Sequence, residues 1–441
     1  MKKLWRHKAG RSTEHEVAYE ETLNNGLLLR TLRDARDIDR FAEFNATFNN
    51  KDEGRTCACF LRHQPARTLD DAWLIEDPST AEVVATVCLI PWRCRYAGVD
   101  LRVAMLEMVL THRNYRGRGL VRTLINQFHK RVQEQQYDFC LIWGIPYFYR
   151  QFGYGYAIDG EIRESLPVWL IPDGPTTAYR LRPAMMADIP QLMAFYGQAM
   201  SPLDLHIVRD AVYWGYLLQH AQHPIALLEE IETGQTLGYA SILRSAERLV
   251  VLESSLPTAA AGMTLLQHLK VGSAAEIQIA WPASSTLVQL ARSLGSHQLL
   301  GSQWLLRIPD LAHFISRIAP ILENRLAASP WRGLNAEMIV NTFREAHRLR
   351  FVDGRLAGID PLGFVDASMG ADGGHLCIPP DALLRLIFGY RRLDELFDAW
   401  PDLLVKPEAR HLFETLWPRL DSYLYTPYHY LGAEASVDDG F

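Results

Sequence analysis

The sequence has no apolar run of membrane-spanning length. Its basic opening, Met1-Lys-Lys-Leu-Trp-Arg-His-Lys8, lacks the apolar stretch that a secretory leader needs, so neither export nor a membrane partner is expected. Cysteine is sparse, with six residues at positions 57, 59, 88, 94, 140 and 377. Cys57 and Cys59 stand two apart, which suits neither a zinc site nor a thiol redox motif. Cys88 and Cys140 fall within apolar runs and read as packed thiols. A reduced, cytoplasmic setting is therefore expected. No grouping of His, Cys, Asp and Glu has the spacing of metal ligands, so no metal is expected, and no Ser-His-Asp context is present. Positive charge is not in excess: 45 Lys and Arg stand against 51 Asp and Glu, a formal net charge of −6. That balance argues against nucleic acid as a partner. It suits a cationic amine if the acidic residues gather at the site.

A chain of 441 residues is too long for one core and implies two or three domains. The most informative run is Val109-Leu-Thr-His-Arg-Asn-Tyr-Arg-Gly-Arg-Gly-Leu-Val121. It joins the end of an apolar strand to a turn rich in arginine and glycine, and the turn opens into an amphipathic helix. The first N–H groups of a helix have no partner within it, and the helix dipole favours an anion there. Gly117 and Gly119 let a phosphate approach the backbone with no Cβ in the way. Arg113, Arg116 and Arg118 add guanidinium groups suited to phosphate oxygens. The implied ligand is a cofactor that carries a pyrophosphate. A Walker loop is excluded because no Lys-Ser or Lys-Thr follows the glycines, and a dinucleotide fingerprint is excluded because Arg122 takes the place of its third glycine.

The next segments narrow the reading. Leu120, Val121, Leu124, Ile125, Phe128 and Val132 have helical spacing over 120–133. A short buried strand is expected over 138–143. The aromatic segment Gly144-Ile-Pro-Tyr-Phe-Tyr-Arg-Gln-Phe-Gly-Tyr-Gly-Tyr-Ala157 follows. The loop resembles the acetyl-CoA loop of the GNAT N-acetyltransferase superfamily, with Arg116 and Gly119 at its firmest positions and Val121 where many members have Gly or Ala. Tyr149-Arg-Gln-Phe-Gly-Tyr-Gly155 is similar to the matching segment of the enhanced-intracellular-survival (Eis) acetyltransferases.

The organisation of the chain extends that resemblance. Leu29-Arg30 followed by Asp37-Ile38 is echoed by Leu181-Arg182 followed by Asp188-Ile189. Each copy reads as a strand, a turn and a helix entered through an acidic residue. Strands are expected near 72–76, 82–94 and 102–111 in the first copy, and near 225–231, 237–243 and 248–254 in the second. The second copy reads Ser254-Ser-Leu-Pro-Thr-Ala-Ala-Ala-Gly262 where a phosphate loop would stand, without arginine or a glycine pair. The expected fold class is α+β: two GNAT-like mixed-sheet units in tandem, then a sterol-carrier-protein-like α/β domain. The expected boundaries are a flexible arm over 1–25, a catalytic unit over 26–165, a linker within 160–177, a degenerate second unit over 176–308 and a C-terminal domain over 309–441. Within the last, a helix is expected over 311–326, strands over 337–353, a turn at 358–363, strands near 364–369 and 375–378, and a helix over 381–389.

The resemblance implies an acetyl-CoA-dependent N-acetyltransferase, with acetyl-CoA as co-substrate and a primary amine as acceptor, on an aminoglycoside-like small molecule or a lysine. It implies direct transfer in a ternary complex and a homo-oligomer, a hexamer in Eis proteins. Cofactor binding would fall to Met108, Val109 and Leu110 on the strand edge, to Arg116, Gly117, Arg118, Gly119, Leu120 and Val121 at the loop, and to Gly144 and Ile145 across from them. Tyr149 would be the general acid, since a phenol of pKa about 10 stays protonated near neutral pH beside a thiol of about 8.5. The base would be the terminal carboxylate of Phe441, with Glu107 as the second candidate. If the strand alternates strictly, Glu107 and Val109 share a face, and Met108 and Leu110 take the other. The reading from another functional class is a non-catalytic CoA- or lipid-binding or regulatory protein on the same scaffold.

Overall fold

The structure, a computed structural model, describes residues 19–48, 51–220, 223–244, 249–270, 275–367 and 373–426. Strands Ala72–Asp77, Glu82–Tyr96 and Val99–Thr111 form an antiparallel meander because each is an apolar run bounded by turn residues. Glu20–Thr22 and Leu28–Thr31 extend it on one side, and Phe139–Ile142 joins on the other, parallel to Val99–Thr111. Gln303–Arg307 and then Gly155–Asp159 complete that edge. Helices Ala35–Phe48 and Lys51–His63 bury Ile38, Phe41, Cys57 and Phe60 against one face, with Trp92 and Met105. Helix Leu120–Glu134 covers the other face through Leu120, Leu124, Ile125, Phe128 and Val132, with Leu89 and Leu106.

A second sheet runs His297–Gln298, Glu164–Pro167, Glu276–Ile279, Leu249–Ser255, Thr236–Arg244, Ile225–Glu230 and Tyr179–Pro183. A third runs Arg355–Gly363, Ala346–Val352, Ala336–Asn341, Leu376–Cys377 and Leu404–Val405. Helices Leu311–Ala327 and Pro380–Ile387 join the third region to the first sheet through one continuous core. In it the rings of Phe139 and Phe388 lie 5.0 Å apart.

The repeated Leu-Arg and Asp-Ile pairs prove to be matching ion clusters. Arg30 makes paired hydrogen bonds of 2.7 and 2.8 Å to Asp37 and one of 2.9 Å to Glu76. Arg182 makes paired bonds of 2.8 and 2.9 Å to Asp188 and one of 2.6 Å to Glu229. In both, the arginine of the first strand ties the helix start to the neighbouring strand.

Several expected boundaries need correction. Glu20–Thr22 is a paired strand rather than part of an arm. Glu164–Pro167, expected in the first unit and its linker, sits in the second sheet between Glu276–Ile279 and His297–Gln298. Gln303–Arg307, expected in the second unit, lies in the first sheet between Phe139–Ile142 and Gly155–Asp159. The reason is that a strand belongs where both its edges find hydrogen-bond partners, and neither composition nor length reveals those partners. Residues 358–363 are the second part of strand Arg355–Gly363 rather than a turn, and 364–367 carry no strand. Helix Lys51–His63 was not expected, because its polar sequence offers only a narrow apolar face.

Candidate active site

The site begins where strand Val99–Thr111 loses its regular pairing. Opposite it, Cys88 aligns with Glu107 but Thr86 aligns with Leu110, so Met108 and Val109 together face Val87 alone. This is a β-bulge, with Met108 at φ 55°. The Thr86 hydroxyl donates to the Met108 carbonyl at 2.9 Å and holds the bulge from behind. The bulge overturns strict alternation. Met108 joins Met105 in the core under helices Ala35–Phe48 and Lys51–His63, whereas Val109 packs with Leu106 on the side of helix Leu120–Glu134.

The other edge of the same strand also changes. Its parallel pairing with Phe139–Ile142 ends at Met105↔Leu141. Beyond that pair the two strands part, and the edge at Met108, Val109 and Leu110 leaves that ladder. An extended chain bearing amides can add to such an edge by backbone hydrogen bonds.

The loop follows at once. Arg113–Tyr115 forms a single 3-10 turn, steadied by the Asn114 N–H donating to His112 Nδ1 at 3.2 Å. The Tyr115 hydroxyl donates to Asp77 at 2.7 Å. The Arg118 guanidinium lies 4.7 Å from the Tyr115 ring and donates to the Asn114 carbonyl at 3.2 Å. Arg113, Arg116 and Arg118 are exposed, and none forms an ion pair with a described residue. Gly117 and Gly119 take left-handed φ of 74° and 78°, which a side chain rarely tolerates. Gly119 is the N-cap of helix Leu120–Glu134, and no side chain caps that end. The first intrahelical bond is from the Thr123 N–H to the Gly119 carbonyl, 3.0 Å. Helices Thr286–Leu294 and Leu311–Ala327, by contrast, have their ends closed by Ser285 and Asp310. The N–H groups at Leu120 and Val121 have no partner within the helix and lie beside arginines, an arrangement that favours an anion. The Leu120 side chain is buried in the core, so its backbone alone is available there.

Across the parting, Gly144 and Ile145 leave strand Phe139–Ile142. A Cβ added to Gly144 would fall 2.3 Å from two ring carbons of Tyr149. Tyr149 itself lies in the 3-10 segment Phe148–Phe152 and is 4% exposed. Phe148, Tyr154 and Phe152 surround its ring at 5.0, 6.2 and 6.5 Å. Burial, followed by the nearby charge of Glu107, pushes the phenol well above the ordinary tyrosine value. Burial pushes the Glu107 carboxyl up to about 8, the charge of Glu53 adding to it and a Met108 backbone hydrogen bond opposing it. Glu107 keeps some accessible surface despite that depth.

Tertiary contacts add residues that local reading missed. Arg122 donates to Gln151 at 2.7 Å and lies over Phe152, tying the first turn of the loop helix to the Tyr149 segment. Trp304 packs edge-on against Trp143 at 5.4 Å and donates to the Leu424 carbonyl at 3.0 Å. Neither link had a local signal. Phe441 lies outside the described residues. Ile145 is exposed, and Val121 is half-buried. Among the described residues no cluster of His, Cys, Asp and Glu could hold a metal, no helix is long and apolar enough to cross a membrane, and all six cysteines are free thiols.

No curated protein matches the chain. Solved structures do share its fold. An Enterococcus faecalis V583 protein described as "Probable N-Acyltransferase" is 14% identical, with 91% of this chain and 99% of that one covered and a TM-score of 0.68. A GCN5-related N-acetyltransferase from Anabaena variabilis is 15% identical over 90% and 99%, with a TM-score of 0.65. Eis1 from Mycobacterium abscessus is 15% identical over 91% and 99%, with a TM-score of 0.56. Residues 29–157, which hold the loop, the parting strands and Tyr149, match the acetyltransferase (GNAT) domain family.

Proposed function

We propose that the protein is an acetyl-CoA-dependent N-acetyltransferase of Eis-like architecture that acetylates a primary amine on a small molecule or a lysine. The observation that carries this is the parting of Val99–Thr111 from Phe139–Ile142 immediately before an uncapped helix N-terminus lined with arginine. The two features suit opposite ends of coenzyme A. The open helix start and Arg116 would take the pyrophosphate, and the free edge from Met108 to Leu110 would pair with the pantetheine amides. Acetyl-CoA supplies the activated acyl group as a thioester.

This chain's residues then have separable tasks. A backbone N–H near Val109 would donate to the thioester oxygen as charge develops there. Glu107 would take a proton from the acceptor's ammonium, leaving a neutral amine to attack. The carboxylate of Phe441, which the resemblance puts first for that task with Glu107 second, lies outside the described residues. As the C–N bond forms and the C–S bond breaks, Tyr149 would donate a hydrogen bond to the departing sulfur. Its raised pKa keeps the phenol protonated but makes full proton transfer to a thiolate uphill. Its main contribution is therefore to stabilise developing negative charge.

The second sheet fits a degenerate copy. Its strand Leu249–Ser255 parts from Glu276–Ile279 after Val251↔Ile279, yet the opening is filled. Arg209 makes a buried pair with Glu253 at 2.8 Å and lies 5.7 Å from the Tyr425 ring. The third region would be the sterol-carrier-like unit, and a hexamer the assembly that the Eis likeness implies. Thiol release from acetyl-CoA across a panel of primary amines tests the activity. Tight CoA binding with no release for any amine would favour the non-catalytic reading instead.

A further inference from the structure

A cavity lies apart from the parting strands and the arginine loop, where the three regions of the chain meet. It encloses about 200 Å³. Its wall comes from the end of strand Gly155–Asp159, from the stretch around Trp281 in the second unit, and from residues 388–390 and 419–423 of the third region. Contacts between these regions make the wall firm. The Tyr423 hydroxyl donates to the Ala280 carbonyl at 2.9 Å, and the Tyr423 and Tyr425 rings meet the Trp281 ring edge-on at 5.4 and 5.7 Å. The Leu420 N–H donates to the Gly389 carbonyl at 3.0 Å. Trp281 is 2% exposed, so packing holds its indole in place. Yet its Nε1–H has no hydrogen-bond partner among the described residues, and neither has the Ser422 hydroxyl in the same wall. Buried polar groups left unpaired are costly and rare in a native fold.

The charged groups around the cavity are, by contrast, already engaged. Glu164 accepts from Arg292 at 2.8 Å and from Ser296 at 3.0 Å. Asp159 accepts the Tyr390 hydroxyl at 2.9 Å, and Arg391 lies 4.0 Å from the centre of the Tyr390 ring. Arg419 donates to Glu395 at 3.2 Å. Exposed Ser284 and Asp421 mark the mouth. The unspent capacity is therefore that of two neutral groups, and it calls for a neutral ligand.

We infer that the cavity is a binding site for a small neutral ring compound that carries an acceptor oxygen, a phenol being the simplest. An indole N–H only donates, so it selects an acceptor. A hydroxyl oxygen can accept from Trp281 while its hydrogen is left for Ser422. Phe388, Tyr423 and Trp281 supply the aromatic surface against which a ring packs. The size agrees: a dry apolar cavity of about 150 Å³ takes up benzene, so this one has room for a ring and a substituent. None of the residues proposed to hold coenzyme A lines it, and the inference does not depend on the acetyltransferase reading.

The test compares phenol with benzene, the same ring without the oxygen, on the full-length protein. Phenol stays neutral at pH 7, its pKa being about 10. One readout is the indole N–H resonance of Trp281, identified by its loss in Trp281→Phe; the other is affinity by calorimetry. Phenol should move that resonance saturably and bind about tenfold more tightly than benzene, as a hydrogen bond to a buried donor provides. Trp281→Phe keeps an aromatic ring in the wall and should erase the preference while benzene still binds, which controls for folding. Ser422→Ala should reduce the preference by a smaller factor. Saturating CoA should leave both titrations unchanged. A Trp281 resonance that phenol does not move, equal affinities in the wild-type protein, a preference that survives Trp281→Phe, or displacement of phenol by CoA would overturn the inference. Thiol release from acetyl-CoA reads acetyl transfer separately, so failure of either reading is seen on its own.

Discussion

Gly144 packs directly against the ring of Tyr149, so close that a Cβ there would stand 2.3 Å from two ring carbons. The glycine therefore sets where the phenol sits. Gly144→Ala must push the ring away, and misplacement by about 1 Å costs on the order of a hundredfold in rate. We expect kcat to fall by roughly that factor and the thermal midpoint to drop. Initial rates and calorimetry on the same preparation check this, and an unchanged kcat would remove the ring from the reaction.

Tyr149→Phe keeps the ring packing and deletes the hydroxyl alone. Turnover should fall by roughly 10- to 1000-fold while the thermal midpoint and CoA affinity barely move. Wild-type turnover in this variant would show that the departing sulfur needs no donor from the phenol.

The loop arginines should differ. Arg118 is already held by the Asn114 carbonyl and the Tyr115 ring, whereas Arg116 is exposed and has no ion pair with a described residue. Arg116→Ala should weaken CoA binding about tenfold or more, as expected for a lost charge-assisted contact, and should lessen its salt dependence. The loss in Arg118→Ala should be smaller. Equal losses in the two variants would contradict the assignment.

Stability should carry the signature of Glu107. The unfolded carboxyl ionises near 4.5, but burial holds the native one protonated until about 8. Between those values the native state binds the extra proton, so stability falls as pH rises and levels off above the window. Glu107→Gln removes that slope. Relative to wild type it should gain roughly 2–4 kcal/mol between pH 5 and pH 8, read from denaturant midpoints. Parallel curves for the two proteins would refute the deep placement of this group.

The two ion clusters offer a matched pair. Arg30 and Asp37 have side chains 0% and 5% exposed, against 24% and 12% for Arg182 and Asp188. Breaking a buried pair leaves an uncompensated charge and costs about 3–5 kcal/mol, while a more exposed pair costs about 1 kcal/mol. Asp37→Asn should therefore lower the thermal midpoint far more than Asp188→Asn. A reversed order would mean that the second unit sets the stability of the chain.

Much of the site was legible because its pieces are continuous in sequence. Strand, turn and helix over 99–134 appear where the apolar spacing, the two glycines and the arginines put them. The matching Leu-Arg and Asp-Ile pairs at 29–38 and 181–189 pointed to two like units, and their ion clusters do correspond. The bulge at Met108 was not legible, because it depends on which residues of Glu82–Tyr96 lie opposite. Helix Lys51–His63 was missed because its polar surface hides a short apolar face.

Local order alone therefore determined the loop rich in arginine and glycine, the helix behind it and the aromatic turn around Tyr149, since backbone conformation and helix-end charge act over a few residues. Only the folded molecule decided which distant segments complete that edge. Gln303–Arg307 enters the first sheet about 150 residues after its neighbour Gly155–Asp159, bringing Trp304 against Trp143, and Cys57 meets Met108 across a helix–strand contact. Such pairings arise from hydrogen bonding and packing between elements remote in the chain, and no pattern within either element records them.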